Sequence, residues 1–434
     1  MLGQKHFNFA FIGAGSPGFM LKFVSDIIHE PDFIQSGELR LVDVNPQVLD
    51  KVHLAVSKML ASTGRNFKVT KHLDFKEALP GVDFVYFTFV TGGFQAWQGD
   101  LDICKKHGVL QSVGDTIGPG GIMRALKNVP VVYEVTKEME RVAPNAWAIN
   151  YTNPEGALCL AIEKYTKIRT FGLCHGTPDT VRELAEKLYK VPEAKLKYRA
   201  AGINHLTWIT QLEIDGVDVY PQLRGLLAES GHEPISTQLY DRFGLYPCPG
   251  DKHVGEFWPY YLRENVLKEQ NYRWGQLDLE EHYRVNRVFP LSQQDKLIAG
   301  EITYENIPTS SETSTHFMRA LSTETPALEM ANVINRGYIE NVSDGIIVEV
   351  PVFIDHFGLH PQNIGKLPAG IAAKCDALGR EYSLIVESAI ACDRQIALQA
   401  MMLDPLTANC DYPEALLDEL LASYRGVLSE KWFN

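Results

Sequence analysis

The sequence predicts an α/β protein. A doubly wound, mostly parallel sheet of the Rossmann kind occupies residues 1–200, and an α+β unit occupies 201–434. Three observations predict this. Apolar, β-prone runs alternate with helix-period segments through the first half, and a glycine-rich hexapeptide joins the first run to the first helix. Beyond about residue 200 the alternation gives way to longer helices and turn-rich stretches.

Residues 7–12 (FNFAFI) form a short apolar run that stops at glycine. Phe19, Phe23 and Ile27 then recur on one helical stripe that extends to residue 28. Residues 39–44 (LRLVDV) read as a second strand, with Asp43 near its end. The nearly continuous β-branched and aromatic run 82–90 (VDFVYFTFV) suits a strand buried on both faces. Helix-period sequence over 131–142 leads to a strand at 147–151, and 170–174 (TFGLC) is the last strand of the first half. Thr177, Pro178 and Asp179 then signal a helix start ahead of 181–188. In the second half, 325–339 and 376–402 read as long helices with acidic faces.

Composition excludes several classes. At 434 residues with 45% apolar and 22% charged side chains, the chain has the profile of a globular protein with a substantial core. No apolar run approaches the ~20 residues that span a bilayer, and the N-terminus lacks a signal-peptide shape, so a cytoplasmic protein with no membrane partner is expected. A net charge of −13, without a basic stripe, argues against a nucleic-acid partner. Seven cysteines without a C-x-x-C pair argue against a disulfide framework or a structural zinc site.

Gly13-Ala14-Gly15-Ser16-Pro17-Gly18 fits G-x-G-x-x-G between the first strand and first helix, and Asp43 stands 25 residues beyond Gly18. Such glycines let backbone approach a pyrophosphate at a helix N-terminus, and the acid accepts from the adenosine ribose. An acid there repels a 2′-phosphate, so NAD is the expected cofactor. Thr91-Gly92-Gly93 and Asn153-Pro154 follow strands, where a dinucleotide fold carries its chemistry; each also suits a plain turn. Cys174 and His205 read more readily as a small buried side chain and a core histidine than as two ligands of an open catalytic metal site. Asp251, His253 and Glu256 share one turn-rich stretch that suits either acid–base work or a solvated loop. Gly114-Asp115 and the glycines at 118, 120 and 121 form a loop rich enough in glycine to fold over a ligand. Arg124 follows on the next helix, and the two charged residues suit binding of a sugar or acid, or a surface ion pair.

Together the glycine fingerprint, GPGGIMRALKNVP, YTNPEG, FGLCHG, GINHLTW, VEVPVFIDHFGLHP and ALQAMMLDPL resemble the NAD- and metal-dependent glycosidases of glycoside hydrolase family four, over nearly the whole chain. The resemblance implies a redox-neutral elimination. NAD+ takes hydride from C3 of the sugar, the ketone acidifies C2, a base removes that proton, the aglycone leaves C1, water adds, and the hydride returns. It further implies Mn2+ held by Cys174 and His205, although manganese ordinarily prefers oxygen to a thiolate. Asn153 is implied between the nicotinamide and the sugar, and Asp115 and Arg124 in the sugar pocket, while Thr91 is expected near the nicotinamide from its place after a strand alone. Asp251 is implied as the C2 base. His175 stands where phospho-α-glucosidase members carry an aspartate proposed as the acid.

The Cys-His-Gly triplet at 174–176 resembles the α-glucuronidase and α-galacturonidase branch, which implies an α-linked uronide as substrate. A small oligosaccharide or glycoside is therefore the expected partner, in a homodimer or homotetramer. Two competing readings are an α-galactosidase or α-glucosidase of the same family and an NAD-dependent hydroxy-acid or sugar dehydrogenase. A non-catalytic NAD or sugar sensor is the third, from a different class.

Overall fold

The computed structural model describes residues 2–269 and 288–433. Six strands, β1 (His6–Ile12), β2 (Ser36–Val42), β3 (Asn66–His72), β4 (Phe84–Phe87), β5 (Trp147–Asn150) and β6 (Arg169–Gly172), run parallel in the order β3-β2-β1-β4-β5-β6. That is the strand order of doubly wound dinucleotide folds, whose crevice opens where the order reverses, between β1 and β4. The connecting helices are α1 (Pro17–Ile28), α2 (Pro46–Ala61), the single turn α3 (Phe75–Ala78), α4 (Gly93–Lys106), α5 (Gly118–Val142) and α6 (Glu155–Tyr165). Beyond β6 comes α7 (Gly176–Glu183).

The period of two along β1 builds the core. Phe7, Phe9 and Phe11 face one layer, where Phe11 stacks on Tyr86 of β4 at 4.8 Å and Phe7 meets Phe33 at 5.1 Å. Ala10 and Ile12 face the other, against Ala125, Leu126 and Val129 of α5. Each fully buried aromatic or branched side chain stabilises the fold by about 1.5–3 kcal/mol relative to exposure.

The sheet does not end at β6. β7 (Leu196–Ile203), β8 (Leu206–Ile214), β9 (Val217–Asp218), β10 (Tyr246–Cys248), β11 (Ala327–Ile334), β12 (Ile347–Asp355) and β13 (Gly358–Pro361) extend it. β6 pairs with β11, β11 with β12, β12 with β7 and β7 with β8, all antiparallel. Residue 200 thus falls inside β7, and one continuous sheet runs through both halves.

Four local expectations need correction. Residues 325–339 are not a helix: Pro326 separates the helix Ser314–Ser322 from β11, and Met330, Ala331, Asn332 and Val333 are all buried in the sheet between β6 and β12. Packing overrides the helical spacing there. The stretch 376–402 is two helices, Ala369–Ala391 and Arg394–Leu403, because Cys392 adopts φ 57° and Asp393 caps the second through Gln395 and Ile396 N–H. The strand within 82–90 covers only β4. Finally, the glycines at 118, 120 and 121 are the first turn of α5 rather than a loop over a ligand; Asp404 anchors that turn by accepting Gly118 N–H at 2.7 Å. Among the described residues, no helix is long and apolar enough to cross a membrane.

Candidate active site

The crevice between β1 and β4 is shaped by glycine. Gly13 follows β1 at φ 88°, and a Cβ there would lie 2.5 Å from Phe89 Cβ, in the segment after β4. Gly13 and Ala14 N–H both bond the Val42 carbonyl, at 2.9 and 3.0 Å. Gly15 N–H donates to Asp43 Oδ2 at 2.9 Å, and a Cβ on Gly15 would sit 2.5 Å from that same oxygen. Asp43 Oδ1 accepts from Asn45 N–H, so the acid is fixed at the tip of β2. Ser16 caps α1 by position without a side-chain hydrogen bond, which leaves first-turn N–H groups for a ligand. A close-approach backbone, a helix N-terminus and a fixed acid fit a dinucleotide.

Two loops leave the C-terminal ends of β4 and β5. One residue that sequence reasoning missed, Asn128 on α5, joins them: its Oδ1 accepts Thr91 N–H at 3.1 Å and its Nδ2 donates to Asn153 O at 3.0 Å. Asn128 is fully buried. A neutral amide inside a helix carries no sequence signal, since its partners are remote in the chain.

Beside these loops Asn153 Nδ2 donates to Asp115 Oδ2 at 2.8 Å, and Thr116 Oγ1 donates to Asp115 Oδ1 at 2.8 Å while lying 2.8 Å from His205 Nδ1. Burial alone would raise the Asp115 pKa, but Arg124, His205 and His253 outweigh it and hold the carboxyl below the usual range. The segment bearing Asp115 is tied down by buried Glu256, which accepts Val113 and Gly114 N–H at 2.9 and 2.8 Å. Burial lifts the Glu256 pKa to about 8. His205 sits in the two-residue turn between β7 and β8 at φ 62°. Burial pushes its pKa down to about 4, and burial followed by the nearby His205 pushes His253 well down too, so both rings are neutral at pH 7. The rings of His205 and His253 are 4.2 Å apart, and Asp115, His205 and His253 each bring one potential ligand atom within 4.8 Å of the others.

Arg124 on α5 is 7% exposed and stacks over Trp97 at 4.9 Å. Its Nε and Nη1 have no hydrogen-bond partner among the described residues. The nearby Asp100 pairs with Lys127 at 2.6 Å in an enclosed pair, and both Asp115 and Asp100 lie within electrostatic reach of Arg124.

The Cys174–His175 turn follows β6. His175 is half-exposed, pairs through Nδ1 with Glu312 at 2.8 Å, and stands within electrostatic reach of His205 and His253. The Cys174 thiol accepts Gly176 N–H at 3.3 Å and does not join the Asp115–His205–His253 group. Burial, then Glu155, Glu349 and Glu312, raise its pKa well above the ordinary thiol value. Asp251 stands apart from the cluster. Its two oxygens accept Ile235 and Ser236 N–H at 2.8 and 2.7 Å, capping the helix Pro234–Phe243.

Comparison with known proteins bears on this assembly. Residues 8–190 match the model for family 4 glycosyl hydrolase, and 200–407 match that family's C-terminal domain. An α-galactosidase from Bacillus subtilis (strain 168) is 30% identical over 97% of this chain and 98% of its own. An α-galacturonidase from Thermoanaerobacter italicus is 30% identical over 96% of both chains. The solved 6-phospho-β-glucosidase from Thermotoga maritima, with manganese, NAD+ and glucose-6-phosphate, superposes with a TM-score of 0.81 at 24% identity, covering 97% of this chain and 99% of its own.

Proposed function

The chain belongs to family 4 of the glycosyl hydrolases, and from that premise we propose that it hydrolyses α-linked uronides by C3 oxidation, C2 deprotonation, elimination, water addition and re-reduction. One observation carries the choice of a uronide: the guanidinium of Arg124, buried beside Asp115 with Nε and Nη1 unpartnered among the described residues. Leaving such donors unmade costs on the order of 1–3 kcal/mol each. A sugar carboxylate would satisfy those donors, because guanidinium and carboxylate pair through two parallel bonds. A neutral hydroxymethyl group supplies one weaker acceptor at best.

The other residues take roles by position. Gly13, Ala14, Gly15, Ser16 and Gly18 would hold the pyrophosphate of NAD, and Asp43 would accept from its ribose. Bound NAD would supply a hydride acceptor and then donor at the sugar C3, and a divalent cation near Cys174 and His205 would supply Lewis acidity toward O2 and O3. Thr91 and Asn153 hold the nicotinamide-side loops in register through Asn128. Asp115 keeps lone pairs for a sugar hydroxyl after accepting from Thr116 and Asn153. His175, half-exposed and paired through Nδ1 with Glu312, would protonate the departing oxygen. Asp251, with both oxygens on backbone N–H, is a positioning residue for the one-turn helix Asp251–Val254 that carries His253.

The test is a panel of aryl α-galacturonide, α-glucuronide and α-galactoside, each with NAD+, manganese and a thiol reductant. At least one uronide should turn over with kcat/KM well above the galactoside. A galactoside preferred over both uronides would overturn the assignment in favour of the neutral-sugar reading, which the 30% identical α-galactosidase supports.

A further inference from the structure

We propose that Glu155 is a positioning residue for the reaction, holding the loop after β5 and the turn between β7 and β8 at a fixed spacing across the sheet. The inference rests on the family-level reading above for the reaction it serves, and it is independent of which sugar is cleaved.

Glu155 opens α6, two residues beyond Asn153. A carboxylate in a first helical turn is ordinarily stabilised by the free N–H groups of its own helix. This one is 2% exposed and reaches into the other half of the molecule instead. Its Oε1 accepts Asn332 Nδ2 of β11 at 2.8 Å, and its Oε2 accepts Asn204 Nδ2 at 3.0 Å. Asn204 immediately precedes His205 in the turn between β7 and β8. Glu155 falls in the N-terminal family match, 8–190, and both of its partners fall in the C-terminal match, 200–407. Its carboxyl is thus a buried bridge between the two.

The backbone joins these halves through narrow seams. β6 and β11 pair at one position, Gly172 with Asn332, and β12 and β7 pair at one position, Glu349 with Gly202. Side chains complete the junction. Beside the two bonds of Glu155, Thr177 Oγ1 donates to Glu349 Oε1 at 2.8 Å, a second crossing between the same halves. Space is kept for the acid, because a Cβ on Gly172 would collide with Glu155 Oε1. Asn204, Asn332 and Glu349 are all buried, so a bond lost here leaves a polar group unmade away from water.

Asn153 stands at one end of this bridge and His205 at the other. Truncating Glu155 frees the Asn204 amide and lets the turn shift relative to the loop after β5. Such a shift degrades alignment for chemistry more than it degrades binding. The glycine cradle at 13–18 contributes no residue to the bridge, so NAD affinity should not respond. Burial, then Glu349 and Glu312, raise the Glu155 pKa well above the carboxylate range, which makes a neutral amide the conservative replacement. Glutamine keeps one acceptor, and its amide can donate to Oδ1 of Asn204 or Asn332, each unpartnered among the described residues.

The test compares Glu155→Ala and Glu155→Gln in the full-length protein at a temperature where both are folded. Two quantities are read: kcat and KM on whichever aryl α-glycoside the parent cleaves, and Mn2+ affinity of the metal-stripped protein without sugar, from the paramagnetic resonance signal of the free ion. In Glu155→Ala, kcat should fall at least about tenfold with KM within about threefold, and Mn2+ should bind more weakly. Glu155→Gln should restore both, and unchanged NAD affinity checks the fold. Should Glu155→Ala not fold, Asn204→Ala removes the arm to the turn alone and should reproduce the kcat and Mn2+ losses. Parent-like kcat and Mn2+ affinity in the truncated variant, or losses that glutamine does not repair, would overturn the proposal. The Mn2+ comparison needs no glycoside, so failure of the uronide assignment leaves it readable.

Discussion

Asn153 Nδ2 donates to Asp115 Oδ2 at 2.8 Å, and through that bond the loop after β5 is fixed to the segment that leads into α5. Asn153 belongs to the loop after β5, and Asp115 lies within electrostatic reach of Arg124, His205 and His253. The bond therefore sets the spacing between the loop after β5 and the polar cluster around Asp115.

Replacing Arg124 separates uronides from neutral sugars. Arg124→Leu should lower kcat/KM on the better aryl α-uronide roughly a hundredfold to a thousandfold, the loss of two charge-assisted hydrogen bonds of about 1.5–3 kcal/mol each, less the relief of an orphaned cation. Arg124→Lys should recover little, since an ammonium lacks the planar fork. Steady-state kinetics on uronide and galactoside together provide the check; equal losses on both would remove Arg124 from carboxylate recognition.

The clamp at Asn128 predicts a different pattern. Asn128→Ala frees Thr91 N–H and Asn153 O at once and should cost about 2 kcal/mol or more of stability. At a temperature where the variant is fully folded, kcat should fall more than KM rises, because the loops still bind but lose alignment. Denaturant unfolding with parallel kinetics separates the two effects.

The glycine cradle is testable by a single methyl. Gly15→Ala puts a Cβ within 2.5 Å of Asp43 Oδ2 and 2.8 Å of Val48 Cγ1, so the loop must shift. NAD Kd should rise at least about tenfold, equivalent to ~1.4 kcal/mol, with the fold retained. Nicotinamide fluorescence titration measures it.

Burial lifts the Glu349 pKa from 4.5 to about 7, against hydrogen bonds from Thr177, Thr207, Asn204 and Asn332. A raised carboxyl pKa stabilises the folded state fully below about 4.5, and that contribution is lost as pH climbs through about 7. Glu349→Gln should therefore flatten the decline in stability between pH 5 and pH 8. Denaturant midpoints at the two pH values, parent against variant, give the answer; identical slopes would mean the burial cost is met elsewhere.

How much of this was legible beforehand depends on how local each signal is. The fingerprint at 13–18 and Asp43 could be read because turn, helix start and acid lie close along the chain, and the structure holds Gly15 on Asp43. Asp115, Asn153, Arg124 and His205 could be named as polar residues near strand ends, but their convergence depends on the sheet. Asn128 was invisible, as was the capping of Pro234–Phe243 by Asp251, because both act through backbone groups far along the chain. β11 was misread since Ala, Leu, Glu and Met favour a helix in isolation, while pairing with β12 along eight residues decides the outcome. The continuity of the sheet through β6, β11, β12 and β7 has no local marker at all.

The central claim is that a glycosidic bond is broken by elimination after oxidation at C3. Its most direct test is turnover of the better aryl α-uronide in deuterated water with NAD+, manganese and a thiol reductant, following deuterium at C2 of the product together with nicotinamide absorbance. Solvent deuterium at C2, stoichiometric aglycone release and no lasting NADH is the predicted result. Aglycone release with protium retained at C2 would contradict the account in favour of direct displacement at C1, and steady NADH accumulation without aglycone would make the protein a dehydrogenase.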